Sequence, residues 1–215
     1  PRPPQTLRET RSLLPAARGA LRSRPKTVAR PRSWREAEPD FSVLPVQHCW
    51  PDDAGPLITW PVVVTRPPGA DEPAAYNLGV YRMQVIGRDR AILRWLPMRG
   101  GAAHHRLWQA RNEEMPVAVV IGADPATMIA AVMPAPESVT ELALSGLING
   151  RRAQMAPCAG IPLHVPAGAE IVLEGVAAPH ETALEGPFGD HTGYYNAPAP
   201  YPVFTLKRIF FREGA

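Results

Sequence analysis

Cysteine is scarce in this 215-residue sequence, and no long apolar run or common catalytic signature occurs in it. The two cysteines, Cys49 and Cys158, are too few for a disulfide scaffold and lack the spacing of a metal site, so a reducing compartment is expected. No apolar run approaches the roughly 18 residues of a membrane-spanning helix, which predicts a soluble, cytoplasmic protein. A GxGxxG after a strand, a P-loop, HExxH and GxSxG are also missing, so the corresponding nucleotide-binding, zinc-protease and serine-hydrolase functions are not indicated.

Acidic residues are few in the N-terminal segment. Residues 1–36 contain nine arginines and one lysine but only two glutamates, a formal charge of +8, whereas the whole chain carries +3. Residues 37–215 therefore carry −5, and the body of the protein lacks the basic surface that nucleic-acid binding requires. We interpret residues 1–40 as a Pro/Arg-rich arm or linker and residues 41–215 as the folded domain. Because the sequence begins with Pro1 instead of Met, we expect it to be an interior piece of a longer protein.

The remainder of the sequence is rich in short β-branched and aromatic runs. Runs of this kind, each bounded by Gly, Pro, Asp or Asn, predict strands at residues 57–65, 77–87, 90–97, 116–123, 169–177 and 201–211. Two residues between the second and third runs, Arg88 and Asp89, predict a hairpin turn. The 27 prolines argue against a helical bundle.

Two helices are predicted among these strands. Asp124 followed by Pro125 is a typical helix start, and the run of small and apolar residues continues to Val132. Ser138 and Glu141 have the spacing of a capping box, which predicts a second helix that stops at Gly150. Six strands with two short helices predict an α+β domain built on a barrel-like sheet.

The segment EGPFGDHTGYY, residues 185–195, combines turn-forming residues with two acids. Its glycine and proline content predicts a shaped loop. One interpretation is an ordinary solvated loop, in which His191 only caps the turn. The other is that Glu185 and Asp190 form a pair of carboxylates with different proton affinities within reach of a substrate.

Five motifs follow one another in an order that resembles the UbiD family of decarboxylases, which use prenylated flavin mononucleotide (prFMN) and a divalent metal. They are NLGVYR, RWLPMRGGA, GADPA, the helix that carries Glu141, and EGPFGDHTGYYN. The stretch LPVQHCWPDDAGPLITWPVVVTRPPG is also similar to the family, and the similarity extends over residues 40–213. It implies that the chain is the central cofactor-binding portion, a flavin reductase-like split β-barrel with short helices. The family's flanking N- and C-terminal domains would then be absent.

The resemblance implies a cofactor site and a metal site. Asn77 and Glu141 match the family's ligands for Mn²⁺ or Mg²⁺, although Glu141 could equally serve the capping box. Some family members add a histidine ligand; near that place this sequence has Met98, and His104 or His105 could substitute. The positions that match the prFMN contacts are Val80, Tyr81, Arg82, Arg94, Trp95, Leu96, Arg99 and Gly100. From their residue types alone, Arg82 and Arg94 could be ordinary exposed charges.

The resemblance also implies a catalytic set. Asp190 matches the family's proton donor, and Glu185 paired with Arg82 would orient the network. The implied reaction is non-oxidative decarboxylation of 4-hydroxy-3-polyprenylbenzoate in ubiquinone biosynthesis. The alternatives are another aromatic or α,β-unsaturated acid, an ordinary FMN-binding split barrel, or a flavin-binding module that is inactive without further domains.

Several partners follow from the same resemblance. A flavin prenyltransferase would supply the cofactor, and the full-length form would be a homo-oligomer. A lipophilic substrate would bring the protein to the periphery of the inner membrane.

Overall fold

The computed structural model describes residue 19 and residues 21–135 and 139–215. Twelve strands and three α-helices occur in this part of the chain, and their bounds follow in chain order. The elements are β1 (Lys26–Thr27), β2 (Trp34–Ala37), β3 (Leu57–Ile58), β4 (Val62–Thr65), β5 (Asn77–Val80), β6 (Met83–Val85), β7 (Arg90–Leu93), α1 (Gly100–Gln109), β8 (Met115–Ile121), α2 (Pro125–Val132), α3 (Glu141–Ile148), β9 (Gln154–Pro157), β10 (His164–Pro166), β11 (Ile171–Glu185) and β12 (Ala199–Arg212).

Nine strands form one curled sheet. Its strand order is β3-β6-β7-β12-β11-β8-β4-β5, and β2 pairs with β12 beside this path. The chain passes directly from β5 at one edge to β6 near the other edge through only Tyr81 and Arg82. Three peptide steps span at most about 10 Å, so the two edges must lie close together. The sheet is therefore curled into a half-barrel, and the predicted split β-barrel is confirmed.

Two of the predicted strands are interrupted at this split. The run 57–65 divides into β3 and β4, and the run 77–87 divides into β5 and β6. Hydrophobic pattern alone suggested continuous strands, but each half pairs with a different edge of the sheet. The hairpin between β6 and β7 is as predicted. The short strands β9 and β10, which form a small second sheet with β1, were not predicted.

Packing on both faces explains the unbroken apolar sequence of β4. Val63 belongs to the cluster inside the half-barrel, together with Met83 and Phe204. Val62 and Val64 point the other way and belong to a second cluster that includes Leu142 of α3. A strand buried on both faces has no polar alternation, which is why the run VVVT appears in the sequence without a solvent-facing residue.

The first predicted helix is confirmed, and the start of the second is corrected. In α2, the Asp124 carboxylate accepts a hydrogen bond from the Thr127 backbone N–H, and Pro125 is the first helical residue. In α3, the N-cap is Thr140, whose hydroxyl accepts from the Ala143 N–H, and Ser138 lies outside the described residues. Glu141 is the first residue of this helix, whereas a capping box needs the acid at the third helical position, so the expected capping box does not form.

No helix in the described ranges is both long enough and apolar enough to cross a membrane.

Part of the N-terminal segment is built into the sheets. Strand β1 pairs with β9, and β2 pairs with β12. Trp34 is buried, and its indole N–H donates to the Ala169 carbonyl at 3.1 Å. Arg30 lies 4.0 Å above the ring of Phe210 and 3.5 Å from the buried Glu174 carboxylate. The boundary expected between an arm at residues 1–40 and a domain at 41–215 thus falls between β2 and β12, which pair in the same sheet.

Replacing Trp34 with alanine tests whether residues 26–37 stabilise the domain. We expect Trp34→Ala to lower the free energy of unfolding by about 3 kcal/mol, because it removes a buried aromatic ring. The exposed neighbour Arg35 supplies the matched control, and Arg35→Ala should change stability by less than about 1 kcal/mol. Urea denaturation of both variants measures the difference, and equal, small losses would mean that this strand contributes little to stability.

Candidate functional site

A cavity of about 810 Å³ opens at the split of the half-barrel, where β5 continues into β6. Residues from β5, the following turn, the segment after β7 and the ends of α2 and α3 surround it. Its lining comprises Thr59, Asn77, Leu78, Gly79, Val80, Tyr81, Arg82, Arg94, Leu96, Met98, Arg99, Gly100, Ala131, Val132, Met133, Pro134, Ala135 and Glu141. All the residues expected to contact the cofactor or metal lie here except Trp95.

Asn77 presents its side-chain carbonyl at one end of the cavity. Its Nδ2 lies 3.4 Å from the Tyr81 hydroxyl and donates to it, which leaves Oδ1 on the opposite side of the amide. Oδ1 lies against the first turn of α1: a Cβ added to Gly100 would come within 2.0 Å of it. Only glycine, which has no Cβ, allows this approach, so the start of α1 packs directly against the Asn77 side chain.

Glu141 brings a half-buried carboxylate to the same end. It is the first residue of α3, and its Oε2 accepts from the Leu78 N–H at 3.2 Å. Burial raises the pKa of Glu141, and the only counteracting groups in the described part of the chain are backbone N–H donors. A half-buried carboxylate without a basic partner among the described residues fits a site for a hard cation, with the Asn77 carbonyl as second oxygen ligand. No cluster of three His, Cys, Asp or Glu side chains occurs within the described ranges.

A buried ion pair closes the other end. Arg82 follows β5, and Glu185 ends the long strand β11 with a side chain that is 1% exposed. The Arg82 guanidinium donates to Glu185 from Nε at 2.7 Å and from Nη2 at 3.2 Å, and Nη2 also donates to Asn196 Oδ1 at 2.9 Å. Arg94 adds a second positive charge, with Nε 3.7 Å from Glu185 Oε2. This Nε is buried and has no hydrogen-bond partner among the described residues.

Asp190 lies apart from this pair, in the loop between β11 and β12. Its side chain is 44% exposed, and its carboxylate accepts from the backbone N–H of His191 and contacts the His191 ring, both at 2.7 Å. The His191 hydrogen bonds hold the pKa of Asp190 below its usual value, with a smaller contribution from the charge of Arg82. The structure therefore brings Arg82 and Glu185 together but does not bring Asp190 into contact with them.

Asp53 anchors this loop, and sequence reasoning missed it. Its buried carboxylate accepts from the Trp50 N–H and from the Gly189 N–H, each at 2.9 Å. A Cβ on Gly189 would come within 2.7 Å of the Trp50 indole, so the two loops are in close contact. In sequence, Asp53 is one of two adjacent acids in a turn-rich stretch, and nothing in that pattern distinguishes it from the exposed Asp52.

Of the remaining candidate residues, some line the cavity and others are buried in the core. Met98 lines the cavity and is 79% exposed, whereas Trp95 is buried beneath it with its ring 6.4 Å from that of Tyr81. His105 is buried against Trp95, and its Nε2 lies 3.2 Å from the Ala178 carbonyl. His104 lies near Asn77 instead, with Nδ1 2.9 Å from the Thr65 hydroxyl. Burial lowers the pKa of His104 to about 4, so its imidazole is neutral at pH 7.

Comparison with known proteins identifies the family. A family model described as the 3-octaprenyl-4-hydroxybenzoate carboxy-lyase Rift-related domain, UbiD, matches residues 21–215. The chain belongs to the UbiD family. This confirms the resemblance drawn from the five motifs. The matched region begins at residue 21, so it includes the strands β1 and β2 as well as the half-barrel.

Solved structures of UbiD-class enzymes share the fold. That of HmfF from Pelotomaculum thermopropionicum in complex with FMN is 27% identical with a TM-score of 0.81, over 91% of this chain and 45% of that one. An evolved dimeric form of HmfF in complex with prFMN is 27% identical with a TM-score of 0.80, over 91% and 47%. The vanillic acid decarboxylase of Sedimentibacter hydroxybenzoicus in closed form is 27% identical with a TM-score of 0.82, over 97% and 46%. This UbiD chain thus spans less than half the length of these structures.

The anchoring role of Asp53 can be tested by hydrogen exchange. Asp53→Ala removes the acceptor of two backbone N–H groups, and the loss of about 1–3 kcal/mol per site predicts 10- to 100-fold faster exchange at Trp50 and Gly189. Exchange mass spectrometry of the 185–196 loop measures the effect. Asp52→Ala is the matched control and should leave the loop unchanged, so equal exchange in both variants would contradict the anchoring role.

Proposed function

We propose that this chain forms the cofactor-binding half of a prFMN-dependent decarboxylase that acts on an aromatic acid. The observation that carries the proposal is the cavity at the barrel split. One of its ends presents the oxygen atoms of Asn77 and Glu141, and the other presents Arg82, which is paired with the buried Glu185 behind it. The similarity to UbiD-class structures with FMN and with prFMN supports a flavin as the bound group.

The two ends of the cavity suit different parts of such a cofactor. Asn77 and Glu141 would hold a divalent cation, Mn²⁺ or Mg²⁺, that neutralises Glu141 and binds the cofactor phosphate. Val80, Tyr81 and Leu96 also line the cavity, and their backbone groups would form hydrogen bonds to the edges of a flavin ring. When bound, prFMN would supply the electron sink that loss of CO₂ from an aromatic acid requires.

The charges at the end of the cavity with Arg82 and Arg94 suit a carboxylate substrate. Arg82 is already neutralised by Glu185, whereas the buried Nε of Arg94 has no hydrogen-bond partner in the described residues. Two arginines against one glutamate leave a net positive charge, which would attract and orient the anionic group of an acid. Too strong a positive charge would hold the substrate carboxylate and oppose its loss as CO₂. Glu185 would limit the net positive charge of the two arginines.

Asp190 is the proposed source of the proton that replaces CO₂ on the substrate carbon. In the described conformation its hydrogen bonds to His191 favour the charged form. Proton donation therefore requires the contact with His191 to open and the carboxyl group to turn towards the cavity, where exclusion of water would raise its pKa. Gly189, the residue before Asp190, is held by Asp53, so this movement would take place beyond that anchor.

As substrate we propose 4-hydroxy-3-polyprenylbenzoate of ubiquinone biosynthesis. The description of the matching family model supports this choice. Exposed apolar side chains along the cavity, Met98, Val132 and Met133, would accommodate an apolar tail. The alternatives are another aromatic or α,β-unsaturated acid, such as the one named for the Sedimentibacter enzyme, or a flavin-binding module that turns over substrate only with further domains.

The proposed partners follow from the same function. A flavin prenyltransferase would supply prFMN, and the longer enzyme would form a homo-oligomer. The lipophilic tail of the substrate would bring the protein to the surface of the inner membrane.

Recovery of the cofactor tests the proposed function directly. We expect the 215-residue chain, co-expressed with a flavin prenyltransferase and purified, to release prFMN when it is denatured, because all but one of the residues proposed to hold the cofactor and the metal line the cavity. Mass spectrometry and the absorption spectrum identify the released group, and the chain expressed without the prenyltransferase is the control. Folded protein that retains neither FMN nor prFMN would overturn the proposal.

Replacing Asp190 tests its role in protonation. Asp190→Asn should reduce turnover of the aromatic acid at least about 100-fold, because the amide cannot donate the required proton. The variant should retain the flavin, since Asp190 does not line the cavity. Product formation per bound flavin is the measurement, with Asp52→Asn as the control. An Asp190→Asn variant with normal turnover would exclude this residue as the donor.

A further inference from the structure

Asn196 lies near the end of the loop between β11 and β12, and its side chain reaches back to Arg82. Its Oδ1 accepts from Arg82 Nη2 at 2.9 Å and from the Phe188 backbone N–H at 3.3 Å. Its Nδ2 donates to the Ala197 carbonyl at 3.2 Å. These partners fix the orientation of the amide, because two donors face its oxygen and a carbonyl faces its nitrogen. A carboxylate would accept from the first two groups but would have no donor for the third.

The backbone of Asn196 adds a second connection to Phe188. Its N–H donates to the Phe188 carbonyl at 3.1 Å, so Asn196 binds both backbone groups of Phe188. The Phe188 side chain is 1% exposed, and the guanidinium carbon of Arg82 lies 5.1 Å from the centre of its ring. Asn196 therefore holds the ring beneath the guanidinium as well as the guanidinium itself.

A narrow hairpin joins Asn196 to Asp190, the proposed proton donor. Gly189 and Tyr195 form an antiparallel bridge, and the Asp190 N–H donates to the Tyr194 carbonyl at 3.0 Å. Asn196 stands at the base of this hairpin and Asp190 near its tip. The acceptor of the Arg82 hydrogen bond and the proposed proton donor thus belong to one hydrogen-bonded unit.

The amide of Asn196 is neutral, which matters for the charge at this end of the cavity. Arg82 and Arg94 carry two positive charges against the one negative charge of Glu185, with their Nε atoms 2.7 and 3.7 Å from its carboxylate. Two positive charges less one negative charge leave +1. Asn196→Asp would keep an acceptor for Arg82 and Phe188, but it would reduce this net charge to zero.

We propose that Asn196 is a positioning residue that couples the 186–196 loop to Arg82 and, because it is neutral, preserves the positive charge that attracts the carboxylate of the substrate. This inference rests on the proposed function for the identity of the substrate as an aromatic acid. Through Asn196, the loop that carries Asp190 and the arginine that holds the acid keep a fixed relation to each other.

Binding of an acid and of its neutral analogue separates the charge effect from a purely structural role. The 215-residue chain, co-expressed with a flavin prenyltransferase, is titrated by calorimetry at pH 8 with 4-hydroxybenzoate and with 4-hydroxybenzamide. We expect the wild type to prefer the acid. Asn196→Asp should weaken binding of the acid about 10- to 100-fold, because the lost positive charge lies close to the bound carboxylate, and should change binding of the amide by less than about threefold.

The matched control places the same added charge far from the cavity. Asn112 is exposed, and aspartate also tolerates its φ of 54°. It lies beyond the end of α1, about 15 Å along the helix from the cavity, so Asn112→Asp should leave both affinities unchanged. Equal losses of acid and amide binding in Asn196→Asp, or no preference for the acid in the wild type, would overturn the proposal. Flavin released from the same samples reports separately on the proposed function: flavin bound without a preference for the acid refutes only the role of Asn196.

Hydrogen exchange of residues 185–196 tests the coupling without ligand or flavin. Asn196→Ala removes the acceptor of the Phe188 N–H, so exchange there should become about tenfold faster. Asn196→Asp keeps that acceptor and should stay within about threefold of the wild type, although it loses the preference for the acid. Wild-type exchange in Asn196→Ala would overturn the coupling, and exchange in Asn196→Asp as fast as in Asn196→Ala would assign the loss of acid binding to a disordered loop instead of to charge.

Discussion

The two-residue connection between β5 and β6 is the constraint on which the rest of the site depends. Tyr81 and Arg82 have to carry the chain from one edge of the curled sheet to the other, and the short reach of three peptide steps keeps those edges close. Tyr81 turns inward, where its hydroxyl accepts from Asn77 and from the Gly101 N–H at the start of α1. Arg82 turns to the cavity and pairs with Glu185. One connection thus orients both ends of the site.

Two carboxylates, the half-buried Glu141 in the cavity and the buried Glu185 behind Arg82, are stabilised in different ways. Glu185 has a bidentate arginine partner and a second arginine nearby, so its charge is balanced inside the protein. Among the described residues Glu141 has only backbone donors, and burial raises its pKa. A buried charge without a counter-charge is costly, and a cation removes that cost. At the Glu185 end the negative charge is already balanced by arginine. At the Glu141 end it is not, so a bound cation would stabilise that end more.

The loop from Gly186 to Asn196 connects these elements to the surface. Phe188 is buried below the Arg82 guanidinium, with 5.1 Å between the guanidinium carbon and the ring centre. The side-chain oxygen of Asn196 accepts hydrogen bonds from Arg82 and from the Phe188 N–H. Asp53 fixes Gly189 from the other side. Beyond this anchor Asp190 and His191 are exposed. The loop is therefore held firmly at its base, while its acidic tip remains accessible to solvent.

The sequence by itself determined most of the strands of the large sheet, the N-cap of α2 and the family, because strand propensity, turn residues and motif order are local properties of the chain. Only the tertiary structure decided where the strands 57–65 and 77–87 break, since that depends on which sheet edge each half meets. It also decided that Glu141 reaches Leu78 instead of capping its own helix, that His104 and not His105 lies beside Asn77, and that Asp53 holds the Asp190 loop. Each of these contacts joins residues that are distant in sequence, and no local pattern encodes such a distance.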